Sequence, residues 1–187
     1  MKKYCLLGVV LTLIACQTTS YTFNGVSYST PAAAIAASDS FNDQIVAAMT
    51  ESKTPLSSSL KVVLPSPSLT KAKGFITSGP TPGETQLSYL EQIVYSGQHV
   101  VVEALRKHNL FKSVNEARSD TPHLSSTDNE DYLLWFQYNE TDSAAGWYLK
   151  SAKTGNSVPV LFDNMDGGTD AMKSLIEGIE IAVKKLN

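Results

Sequence analysis

Apolar residues recur along this chain with two different periods, and each change of period marks an element. The opening run from Cys5 to Ile14 is apolar throughout and follows Lys2 and Lys3, which is the pattern of an export signal. It is far shorter than the roughly 20 residues a membrane-spanning helix needs, so it is not expected to stay as a transmembrane anchor. Gln17 to Ser29 is polar and rich in Thr, Ser and Tyr, and reads as a tether. Thr30 followed by Pro31 suits an N-cap and first helical position. Beyond them Phe41, Ile45 and Met49 fall at helical spacing, predicting a packing helix broken around Ser38 to Ser40.

Leu60 to Leu64 is a short apolar run stopped by Pro65 and Pro67, as a buried strand is. The Ser-, Thr-, Gly- and Pro-rich stretch 66–83 is too long for an idle turn and is the first place to look for a site. Thr81-Pro82-Gly83-Glu84 has the form of a capping box, after which Leu87, Leu90, Val94, Val101 and Leu105 repeat at helical intervals. Gly97 inside that long helix predicts a tight crossing over a sheet. Asn109 suits a left-handed helix end. Strands are then expected at 110–114, 132–138, 147–153 and 158–162, with a hairpin turn at Thr154-Gly155-Asn156. A last helix carries Met172, Leu175, Ile176, Ile179, Val183 and Leu186 on one face, with Lys184 and Lys185 at its negative end. Helix, strand, long helix, a meander of about four strands and a helix fold most simply as an α/β (α+β) two-layer sandwich. Its mixed sheet would have four to five strands, with helices mainly on one face.

The residues that end the opening run, Leu13-Ile14-Ala15-Cys16, resemble the lipobox of bacterial lipoproteins. That resemblance implies cleavage after residue 15, acylation of Cys16 and anchoring to a membrane by several chains, where one alone is marginal. Gln17, in place of Asp, resembles the sorting position of outer-membrane lipoproteins and implies the periplasmic face of the outer membrane. The implied organisation is a removed signal (1–15), a lipidated terminus and tether (16–29) and one domain (30–187). Cys5 then leaves with the signal and Cys16 carries lipid, so the mature domain has no thiol for a disulfide, a nucleophile or a zinc-thiolate site.

Loss of Lys2 and Lys3 makes a chain of formal net charge -3 more acidic still, which argues against a nucleic-acid partner. The segment Val102 to Val114, VEALRKHNLFKSV, resembles the helix-to-strand passage of envelope domains related to the amino-terminal domain of TolB, to the curli-secretion lipoprotein CsgG and to lipoprotein activators of penicillin-binding proteins. The resemblance implies a domain that docks on an envelope protein without chemistry of its own.

Ser68-Leu-Thr-Lys71 and Lys153-Thr154-Gly155 match the S-x-x-K and K-T-G elements of penicillin-recognising serine enzymes. Ser68, however, lies in a Pro-rich loop, no S-D-N follows, and the chain is short for that fold. Asp163, Asp166 and Asp170 depart from the calcium-loop spacing, and Asp128, Glu130 and Asp131 read as a solvated loop. His99, His108 and His123 make no metal pattern; the first two are expected on the same side of the long helix, but more than two turns apart. No catalytic set, metal or cofactor is therefore assigned. Trp135, Tyr138, Trp147 and Tyr148 concentrate aromatic surface on two strands, and are the candidate surface for an unidentified envelope protein. Alternation sends Leu133 and Trp135 to one face and Leu134, Phe136 and Tyr138 to the other. Two arrangements remain open for the aromatic face: exposure, or a second layer supplied by the amino-terminal helix. The alternative function is a periplasmic protein that binds or hydrolyses glycan, peptide or lipid.

Overall fold

The computed structural model describes residues 21–64, 84–119, 129–139, 144–162 and 168–187, apart from the side chains of 84–91, 94, 137–139 and 144–145. It begins inside the predicted tether, whose residues 21–28 form a hairpin. β1 (Tyr21–Phe23) and β2 (Val26–Tyr28) pair as an antiparallel hairpin. Asn24 and Gly25 both take positive φ, 48° and 76°, as a two-residue hairpin turn requires. Phe23 is buried and meets Phe41 edge-to-face at 5.8 Å, in a small cluster with Ala34 and Ile93.

α1 (Pro31–Ala47) starts as expected: the Ala33 N–H donates to the Thr30 hydroxyl at 3.2 Å, and Pro31 needs no partner for a missing N–H. The expected break at Ser38 to Ser40 does not occur. Ala34 and Ser38 are buried, and their small side chains allow α1 to pack closely on α2 (Glu84–His108). Ser96 of α2 donates to Asp39 at 2.7 Å and accepts from Asn42 at 2.8 Å, which closes the polar side of that contact.

β3 (Leu56–Leu64), β4 (Phe111–Arg118), β5 (Tyr132–Asn139), β6 (Ala144–Ser151) and β7 (Ser157–Val160) form one mixed sheet in the order β4-β3-β5-β6-β7. The predicted meander is shorter than expected, covering β5, β6 and β7 alone. β4 instead returns through α2 to lie parallel beside β3, and β5 pairs parallel with the other side of β3. A parallel neighbour needs such a crossover, and α2 supplies it. Asn109 ends α2 in the left-handed region, φ 56°, as the sequence suggests.

Leu60, Val62, Leu134 and Leu149 are all fully buried on one face, against side chains of α1, α2 and α3 (Gly168–Leu186). The fold is α+β, with all three described helices contributing to a core on a single face of the sheet. Gly97 does not mark the close crossing: it is exposed, with open space where a side chain would go. The tight approach is at Gly178 of α3, where a Cβ would fall on the Leu161 carbonyl oxygen and 3.0 Å from Val160.

Candidate functional site

Cross-strand register decides which aromatics share a face. Trp135 lies opposite Tyr148, and the two rings stack at 5.5 Å and 22°. Phe136 lies opposite Trp147, edge-to-face at 5.5 Å. Trp147 packs against the helix-side core, whereas Trp135 and Tyr148 stand on the face turned away from the helices. Adjacent strand residues must point oppositely, so Trp147 and Tyr148 do not form one surface. Tyr138 pairs with Ala145 through the backbone, and its side chain lies outside the described residues.

Two rows cross the middle of the far face. One runs Ala117, Val63, Trp135, Tyr148, Pro159; the next runs Asn115, Lys61, Leu133, Lys150, Ser157. Val63 and Leu133 are buried, while Trp135, Tyr148, Lys61 and Lys150 are half-buried. A stacked aromatic pair with two lysines in the neighbouring row offers flat π surface flanked by positive charge, suited to apolar or sugar rings with acidic substituents. The amino-terminal helix does not cover this face. α1 packs on the opposite side, where it meets α2 and α3 and Ile45 joins the helix-side core.

The histidines serve as struts. Nine residues along a helix amount to two and a half turns, so His99 and His108 project to opposite sides, contrary to the expectation of a shared side. His99 Nδ1 lies 2.6 Å from Glu116 of β4 and its Nε2 3.3 Å from Glu103. His108 Nδ1 lies 2.5 Å from the Thr50 carbonyl and its Nε2 3.0 Å from Glu180, joining the end of α2 to α3 and to the segment that follows α1. Around His99 a polar cluster ties α2 to β4: Arg118 lies 4.3 Å over the Tyr95 ring and 2.6 Å from Glu116, and Arg106 donates to Glu103 and to the Val114 carbonyl. Opposite charges are matched within this cluster. His123 lies outside the described residues.

Asp131, read from sequence as part of a solvated loop, is a staple between β3 and β5. Its carboxylate accepts from the Ser59 N–H at 2.7 Å and from the Ser59 hydroxyl at 2.9 Å. These two bonds, in that order, hold its pKa below the ordinary value; its own N–H and the Lys112 charge act in the same direction, and burial opposes them. Glu130 accepts from Asn115 at 3.0 Å. Nothing in the sequence pairs Ser59 with a residue so distant.

Lys153-Thr154-Gly155 lies in the turn between β6 and β7, where Gly155 has φ 72° and Thr154 accepts from the Asn156 N–H at 3.3 Å. Ser68, Lys71, Asp128, Asp163 and Asp166 lie outside the described residues, as does Cys16; Asp170 is exposed in the first turn of α3. Among the described residues, no group of His, Cys, Asp and Glu is placed to hold a metal ion, and no helix is long and apolar enough to cross a membrane. Comparison of the chain with protein-family models, with curated proteins and with solved structures finds no match in any of the three.

Proposed function

We propose that this chain is a lipoprotein anchored through Cys16 at the periplasmic face of the outer membrane, presenting its α+β domain as a non-catalytic interaction module. The Trp135–Tyr148 stack supports the reading most directly: aromatic surface stands on the sheet face that the three described helices leave uncovered. Large aromatics supply much of the energy of protein interfaces. The partner on this reading is an envelope protein, held close by the shared membrane, and the domain needs no cofactor.

In-cell crosslinking of the acylated protein tests it, run beside Cys16→Ser and Trp135→Ala. One defined envelope partner is expected with the parent protein, lost with either substitution while Trp135→Ala still fractionates with membranes. Capture that is indifferent to Trp135→Ala removes the sheet face from the proposal. Lys61 and Lys150 beside the stack favour one second reading, a binder of acidic glycan or peptide. Calorimetric titration of the soluble domain with peptidoglycan fragments separates the two, since only the second expects heat.

A further inference from the structure

The first charged residue after Cys16 is Asp39, so Gln17 to Ser38 is without formal charge in a chain that is 18% charged. The described part of this stretch forms β1, β2 and the first turns of α1, and its surface is correspondingly neutral. Val26 is 54% exposed beside the Asn24-Gly25 turn, Ser27 and the α1 residues Ala32 and Ala36 are exposed, and the rings of Tyr21 and Tyr28 are half-buried.

Cys16 lies five residues before Tyr21. Fully extended, that length spans about 18 Å. A domain of this size has an expected radius of gyration of about 15 Å and is roughly 40 Å across. The link is shorter than the body it holds, so the domain cannot turn its far end to the membrane.

We propose that the β1–β2 hairpin, with the start of α1 beside it, is the surface that this domain rests on the lipid headgroups. The inference depends on the reading that Cys16 is acylated. A charged side chain brought against a low-dielectric surface loses hydration, and this patch has none to lose. Tyrosine, apolar in its ring and polar at its hydroxyl, suits the headgroup level. Orientation follows from the helices. Phe23 clusters with Ile93 of α2, whereas His108 lies fifteen residues further along the same helix, roughly 22 Å away. The β6–β7 turn lies at that distal end, since Ser151 pairs with Tyr132 at the start of β5.

The test uses acylated protein in phosphatidylethanolamine–phosphatidylglycerol vesicles. A fluorophore is placed at Val26→Cys or at Lys153→Cys in the β6–β7 turn, and nitroxide-headgroup lipid is the quencher. The Cys16 sulfur is a thioether in that form, so only the introduced thiol reacts. Quenching several-fold stronger at position 26 than at 153 is expected, and Ser27→Cys repeats the readout on the same hairpin should Val26→Cys fail to fold. Equal quenching, or stronger quenching at 153, overturns the proposal. Mass measurement of the amino-terminal peptide separates the two levels of failure. An unacylated Cys16 removes the lipoprotein reading and this inference together, whereas acylated, vesicle-bound protein with equal quenching removes the inference alone.

Discussion

At Gly178 the backbone of α3 lies against the chain leaving β7, and the atom a side chain would strike is a carbonyl oxygen, which cannot swing aside. Gly178→Ala is therefore expected to destabilise the domain by about 1–3 kcal/mol through overpacking. Gly97→Ala has open space and a helical backbone, and is expected to stabilise by up to about 1 kcal/mol. Thermal melts of the two variants should move in opposite directions, and a shared direction would refute the packing difference. Sequence reading assigned the close approach to the wrong glycine. Both residues sit inside apolar-periodic helices, and the difference between them is the distance of a third strand of chain, which periodicity does not encode.

Elements are joined here by side chains at their ends more than by length. The Ser59–Asp131 staple sets the register in which β5 meets β3, two strands of parallel pairing that no hairpin turn could fix. Because the folded pKa of Asp131 lies below its unfolded value, the staple is fully present above the unfolded value of about 3.9 and is lost as pH falls through the folded one. Asp131→Asn should lower stability at neutral pH and flatten its fall in the most acidic part of an unfolding profile. An unchanged acid limb would show that the bond contributes nothing there. The helices and most strands were legible because a core on one face imposes period 3.6 or 2. The hairpin β1–β2 was missed because its three-residue strands look like polar tether, although Asn24-Gly25 between Tyr-Thr-Phe and Val-Ser-Tyr is the strongest short hairpin signal. The aromatic surface was half legible. Alternation separates Trp135 from Phe136, but the register that sets Trp135 against Tyr148 depends on how the β5–β6 connection closes.

For the molecule as a whole, β3 is the pivot, paired on both sides and carrying Leu60, Val62 and Leu64 into the core. Native-state hydrogen exchange should find the amides of β3 and of the adjoining half of β5 slowest, opening only with global unfolding, while β1–β2 exchanges earlier as a separate small cluster. Equal protection in the hairpin and β3 would contradict this ordering. The same centrality bears on the order in which the chain becomes available. Ser59 and Asp131 are separated by 72 positions, and such non-local pairings make for slow folding. In a chain delivered amino-terminus first, β3 emerges early and waits for β5 before its second edge can close. Closure of the sheet is thus deferred until most of the chain has been delivered, and on the proposed lipoprotein reading that delay suits a chain threaded unfolded through a membrane and made compact only on the far side.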